Sequence, residues 1–140
     1  MLSSPHTLVI VDDNEEVTFV LQQIIDSIYG DQVNIKSFSS SEKALDYVAH
    51  HDIRILISDL ELPGLHGVDL IEKVNNLNRG ILTIVITGHQ SYHTALECFM
   101  NGTEGYINKP LTSKKIQTAL DQCFSKIEYW RQTLETVSDI

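Results

Sequence analysis

The chain has 140 residues, 42% of them hydrophobic, and a formal net charge of −9. That suits one domain with a proper core, and it excludes a nucleic-acid binder working by itself, because phosphate contacts need Lys and Arg. No apolar run approaches the roughly 18 residues that cross a bilayer, and the opening MLSSPH lacks the basic and apolar regions of a signal peptide. Cys98 and Cys123 lack metal-ligand spacing and read as free thiols of a reducing, cytoplasmic compartment.

Strand and helix patterns alternate along the whole chain. Residues 8–11, LVIV, read as a buried strand ending at Asp12 and Asp13. Asn14 or Asp13 can cap the next helix, with Glu15 and Glu16 suited to its positive end. Val17, Val20, Leu21, Ile24, Ile25 and Ile28 follow at helical spacing, and Gly30 stops the run. Residues 33–36 alternate as a short second strand. Ser39 with Glu42 predicts a capping box for a helix whose face is Ala44, Leu45 and Val48. The third strand opens at Ile53, runs through Ile55, Leu56 and Ile57, and ends at Asp59, followed by a loop with Pro63, Gly64 and Gly67. A helix with Val68, Leu70, Ile71 and Val74 fades at Asn75 and Asn76.

Residues 81–87, ILTIVIT, predict the fourth strand. Ser91 can cap a helix bearing Ala95, Leu96, Phe99 and Met100, which Gly102 ends. Residues 105–108 form a short fifth strand, then Lys109 and Pro110, then a last helix from about Thr112. Five strand–helix units with short links predict an α/β, doubly wound parallel sheet. A domain of this kind ends near Phe124, so residues 1–124 form the domain and 125–140 an extension of the last helix, as coiled coil or linker.

The strand ends carry the chemistry. In a parallel sheet they share one edge, where ligands sit. Asp12 and Asp13 follow the first strand, Asp59 ends the third, Thr87 ends the fourth, and Lys109 follows the fifth. Read alone, Asp59 could simply cap the turn after it. Taken together, three crowded carboxylates repel unless a cation lies among them, and hard oxygen ligands suit Mg²⁺. A nearby lysine attracts a phosphoryl oxygen, and a threonine hydroxyl can donate to another.

These residues resemble the receiver domain of two-component response regulators, of the kind seen in the chemotaxis response regulator. The matching segments are the Asp12 and Asp13 pair, the stretch from Asp59 to Gly67, Thr87 with Gly88, and the stretch from Gly102 to Pro110, over about residues 7–124. The resemblance implies a flavodoxin-like (βα)₅ fold. It implies that Asp59 accepts a phosphoryl group from a histidine kinase or histidine phosphotransfer protein. Asp12, Asp13, Asp59 and the backbone carbonyl of Glu61 would hold Mg²⁺ (or Mn²⁺). Lys109 would pair with the phosphoryl group, Thr87 would bond it, and Thr87 with Tyr106 would form the switch that alters the surface of the fourth helix, fifth strand and fifth helix for an output domain or target protein. Glu61 and His89 fall at the two variable positions that tune phosphoryl lifetime in the family. Such a domain phosphorylates itself and loses the group slowly, and is not a turnover enzyme. Leu62, Thr103 and Gly105 depart from the usual pattern and leave the chemistry intact.

Three other readings fit less well. A haloacid-dehalogenase-type phosphatase carries its nucleophile on the first strand in an Asp-x-Asp motif, whereas the isolated Asp59 is on the third. A flavodoxin-like carrier needs a Ser/Thr/Gly-rich phosphate cradle that the first loop lacks. A pseudo-receiver kept for contacts alone would not fill every site position. His50 and His51 suit a helix end, His66 faces solvent, and Tyr29 and Tyr47 read as packing aromatics. His89 and His93, four apart, lack a third ligand and read as exposed polar residues. Ile116, Leu120, Cys123, Ile127, Trp130, Leu134 and Val137 repeat in steps of four and three, the pattern of a coiled coil. Residues beyond the domain have no core to cover, which favours a parallel homodimer or a linker helix over a tail folded onto its own sheet.

Overall fold

Alternation along each strand decides which helices cover which face. In a computed structural model, which describes residues 5–62, 65–89 and 91–138, ten main elements follow in order: β1 (His6–Val11), α1 (Glu15–Tyr29), β2 (Val33–Phe38), α2 (Ser41–His50), β3 (Ile55–Asp59), α3 (Gly67–Asn75), β4 (Leu82–Thr87), α4 (Tyr92–Met100), β5 (Gly105–Asn108) and α5 (Ser113–Ser138). The first part of MLSSPH, together with Pro63 and Gly64, lies outside the described residues. The strands pair in parallel in the order β2-β1-β3-β4-β5.

Leu8, Ile10, Ile55, Ile57, Ile84 and Ile86 face one side, where Leu21 and Ile25 of α1 and Ile116, Leu120 and Cys123 of α5 bury them. Val9, Val11 and Leu56 face the other side, against Ala44 and Val48 of α2 and Leu70 and Val74 of α3. Leu60, Val68, Ile71, Val85 and Cys98 close the α3–α4 corner. The doubly wound sheet expected from the sequence is therefore present. Among the described residues no helix is long and apolar enough to cross a membrane.

The helix ends follow local chemistry. Asn14 caps α1 by accepting from the N–H groups of Glu16 and Val17, and Gly30 ends it at φ 54°, then opens a 3₁₀ turn, Gly30–Gln32. Ser91 caps α4 through the Thr94 N–H. The cap of α2 is Ser40, not Ser39: its hydroxyl accepts from the Lys43 N–H. The third strand starts at Ile55, not Ile53. Ile53 is still buried, packed with the α2–α3 side of the core. His50 and His51 turn their Nδ1 atoms to the carbonyls of Asp46 and Tyr47, each at 2.8 Å. Tyr29 packs edge-on against Phe124 and donates to Asp121 at 2.8 Å, and Tyr47 stacks on His51.

Two helices differ from their sequence stripes. In α4 only Cys98 is buried, while Leu96, Phe99 and Met100 stay exposed. In α5 the packed part runs past Phe124: Ile127 is buried in the main core, and exposure of the stripe begins at Trp130.

Candidate functional site

The strand order reverses between β1 and β3, so the chain leaves these neighbours toward opposite faces and opens a crevice at their carboxyl ends. Register brings the side chains to one level, with Val11 beside Ser58, Asp59 beside Ile86, and Thr87 beside Asn108. Backbone bonds lock the rim: the Asp12 N–H donates to the Phe38 carbonyl at 3.1 Å and the Lys109 N–H to the Thr87 carbonyl at 2.8 Å.

Asp12, Asp13 and Asp59 each present a carboxylate oxygen, all within 4.8 Å of one another. Asp12 and Asp59 are buried and Asp13 is exposed. One oxygen of Asp12 accepts the Asn14 N–H at 2.8 Å; the other, Oδ2, is buried without a hydrogen-bond partner. The Lys109 ammonium lies 3.7 Å from that Oδ2 and 3.6 Å from Oδ2 of Asp59, close enough for charge attraction but outside hydrogen-bond range. Burial pushes the Asp12 carboxyl above its ordinary pKa, and the negative charges of Asp59 and Asp13 add to the rise, against the Asn14 N–H and Lys109.

Asp59 also performs the local task that its position alone suggested: its Oδ1 accepts the Glu61 N–H at 3.2 Å and tightens the turn after β3. The Glu61 side chain points outward and meets Nε2 of His89 at 2.9 Å, so these two residues face each other across the site mouth. His89 lies in the loop before α4 and not on the helix with His93, which removes any shared helical face for the two rings. The Thr87 hydroxyl accepts the His89 N–H at 3.1 Å and donates to the His89 carbonyl at 3.2 Å. The Tyr106 hydroxyl reaches the same carbonyl at 3.5 Å.

Some supports of the site have no sequence signature. A Cβ on Gly67 would stand 2.5 Å from the Asp59 carbonyl oxygen and 2.6 Å from the Leu60 Cα, so only glycine lets α3 start against the backbone of the acidic loop. His66, exposed as expected, caps α3 through Nδ1, which accepts the Val68 N–H at 3.2 Å. Glu42 accepts the Leu65 N–H at 3.2 Å and ties that loop to α2. Residues 23 positions apart leave no pattern in sequence. Of these supports the sequence marked the glycine, at the end of the loop after Asp59, but not the close backbone approach that requires it.

A family model of the response regulator receiver domain matches residues 8–121. The chain belongs to this family. Among its receiver-domain relatives it is 24% identical over 123 residues to the DNA-binding transcriptional regulator NtrC of Klebsiella pneumoniae, covering 88% of this chain and 26% of NtrC. To the transcriptional regulatory protein FixJ of Rhizobium meliloti (strain 1021) it is 28% identical over 135 residues, covering 96% of this chain and 65% of FixJ. The chain thus spans about a quarter of the length of NtrC and under two thirds of that of FixJ. The CheY-like receiver domain structure from Methanospirillum hungatei JF-1 shares the fold, with a TM-score of 0.80 at 24% identity over 90% of this chain and 98% of that one.

Proposed function

We propose that Asp59 is the phosphoacceptor of this receiver domain. The observation that carries the reading is the meeting of three carboxylates with one ammonium at the carboxyl edge of the sheet. The donor is a phosphohistidine on a histidine kinase or histidine phosphotransfer protein. An Asp59 carboxylate oxygen forms the new P–O bond as the P–N bond breaks and the imidazole leaves. The product is an acyl phosphate, which water hydrolyses slowly.

Phosphoryl transfer has a loose transition state, so this chemistry depends on position and charge neutralisation. Lys109, already between Asp12 and Asp59, holds a phosphoryl oxygen. The orphaned Oδ2 of Asp12 and the clustered acids fit a hard divalent cation; Asp12, Asp13, Asp59 and the carbonyl of Glu61 would hold Mg²⁺ or Mn²⁺. Bound there, the ion neutralises charge on the acids and the phosphoryl group. Thr87 turns its hydroxyl from the His89 carbonyl to the phosphoryl group. That frees the β4–α4 loop and the shared acceptor of Tyr106, and the surface of α4, β5 and α5 changes for an output domain or target protein. Such coupling is a local charge event biasing a two-state element.

The Glu61–His89 pair stands over the site mouth and governs how long the acyl phosphate survives, by screening or placing water. The protein works in the cytoplasm, without direct nucleic-acid binding by this domain, and α5 serves as linker or self-pairing element. The phosphatase reading is disfavoured by the isolated acid on β3. The pseudo-receiver reading is disfavoured by the filled site.

Intact-mass measurement with a small acyl phosphate and Mg²⁺ tests the assignment. Wild type gains one phosphoryl group and Asp59→Asn gains none; an equal adduct in the variant refutes it. Alanine at Glu61 or His89 changes the rate of phosphate release, and unchanged rates in both would dismiss the role of that pair.

A further inference from the structure

We propose that Lys115 is a positioning residue for Lys109: it holds the β5–α5 loop so that the Lys109 ammonium stays beside the acids. This rests on the phosphoacceptor reading above and extends it to a residue outside the acidic cluster.

The sequence puts a cation where helix chemistry disfavours one. Thr112 caps α5: its hydroxyl accepts the Lys115 N–H at 3.2 Å and its carbonyl accepts the Ile116 N–H at 3.1 Å. Lys115 thus holds the third helical position, where Glu or Gln would complete a capping box with Thr112. The first turn of α5 carries no acid, although the positive end of a helix favours one. Ser113, Lys114 and Lys115 stand there instead. A local rule broken in this way points to a gain elsewhere.

The gain is at the loop that carries Lys109. The Lys115 ammonium donates to the Asn108 carbonyl at 3.0 Å and to the Pro110 carbonyl at 3.2 Å. Those are the carbonyls of the two residues that flank Lys109. β5 is the last strand of the sheet and pairs with β4 on one side. The Lys109 N–H turns toward β4, where it meets the Thr87 carbonyl at 2.8 Å. A trans peptide sends its C=O the opposite way, so the Asn108 carbonyl looks out on the open side of β5, where no described strand bonds it. Pro110 brings no N–H of its own to the loop. Lys115 does there what a neighbouring strand would do. Three bonds then fix the main chain around Lys109, one on its N–H and two on the adjacent carbonyls. The side chain leaving this backbone carries its ammonium to 3.7 Å from Asp12 and 3.6 Å from Asp59. Both distances exceed hydrogen-bond range, so much of the hold on that charge comes from the backbone beneath it. A charge that must meet a phosphoryl oxygen loses rate steeply when it is misplaced.

Phosphoryl uptake from a small acyl phosphate at saturating Mg²⁺, followed by intact mass over time, tests this. Lys115→Met keeps the stem and removes the donors, and slows uptake about five- to tenfold. Lys115→Arg keeps donors and restores most of the rate. Lys114→Met removes the same charge one residue away and stays within about twofold of wild type. Lys109→Ala slows uptake about a hundredfold, and adding Lys115→Met to it costs nothing more, because the two lysines act as one unit. Two readouts separate positioning from general loosening. The urea midpoint of Lys115→Met does not fall, since the lost cation opposed the helix dipole. Its Mg²⁺ affinity does not fall either, since the acids are untouched. A wild-type rate in Lys115→Met overturns the proposal. So does an equal loss in Lys114→Met, additive losses in the double variant, or a rate loss that tracks a fall in urea midpoint or Mg²⁺ affinity. If Lys109→Ala is slow and Lys115→Met is not, the phosphoacceptor reading stands and this inference alone fails; if Lys109→Ala is as fast as wild type, the role of Lys109 fails and this inference with it.

Discussion

The two edges of one sheet handle charge in opposite ways. At the carboxyl edge, Asp12 and Asp59 are buried, an oxygen of Asp12 has no hydrogen bond, and Lys109 stands off at 3.6 to 3.7 Å. At the amino edge three cations, Arg54, Arg79 and Lys126, all have protein partners. Arg79 donates to the carbonyls of Val48, Ala49 and His51 at 2.7 to 3.0 Å, Arg54 meets Asp52 at 2.6 Å, and Lys126 meets Glu104 at 2.6 Å. Stability alone favours the second arrangement, because a buried charge without good partners is costly. The first persists where charge must be ready for something brought from outside. The edge that the chain leaves electrostatically strained is thus the edge to which the phosphoryl transfer is assigned in the proposal above.

Substitutions can break that contrast. The core between the two edges sets the upper limit: Leu120→Ala should remove about 2–5 kcal/mol, read as a lower urea midpoint, with the acidic site still able to take up phosphate in the folded fraction. Gly67→Ala should follow, at about 1–3 kcal/mol from overpacking. Because the new Cβ meets the backbone at Asp59 and Leu60, it should also slow phosphoryl uptake, which Leu120→Ala does not.

Asp12→Asn should go the other way. It removes a buried negative charge while keeping the oxygen that accepts from Asn14, so the metal-free protein should gain up to about 1 kcal/mol and lose Mg²⁺ affinity in a titration. The sign of the pH dependence agrees. A carboxyl whose pKa is raised on folding contributes stability that is present below its unfolded pKa and lost as pH rises through the folded one. Metal-free wild type should therefore lose part of its stability from about pH 4 upward relative to Asp12→Asn, and saturating Mg²⁺ should reverse that loss. The smallest effect belongs to the amino edge: Lys126→Ala breaks a partly exposed ion pair and should change stability by less than about 1 kcal/mol, less still in high salt.

The sequence made the sheet readable because strands buried on both faces, β1, β3 and β4, are continuous apolar runs, and these runs end at or next to Asp12, Asp59 and Thr87. The site was readable for the same reason: Asp12, Asp59, Thr87 and Lys109 all sit at strand ends, and parallel pairing collects strand ends. What stayed hidden depends on partners distant in sequence. Ser39 and Ser40 are equally good caps until backbone direction selects one. Ile53 looks like strand because it is buried, yet its backbone lies before the ladder of β3. The Thr87 hydroxyl could serve the acids or its own loop, and only the three-dimensional turn at His89 shows that it serves the loop here. The stripe on α5 reads as coiled coil from either direction; which side it faces requires knowing where the sheet lies.

Helix α4 gives the fold an uneven resistance to opening. It buries only Cys98 and leaves Tyr92, Phe99 and Met100 largely in solvent, whereas α5 fixes Ile116, Leu120, Cys123 and Ile127 in the main core. In native-state amide hydrogen exchange the two should separate. The amides of α4 should exchange through local openings far below the global unfolding free energy, and those of residues 116–123 only with global unfolding. If exchange shows that separation, the proposed phosphoryl switch at Thr87 and Tyr106 could reshape α4 without endangering the rest of the protein.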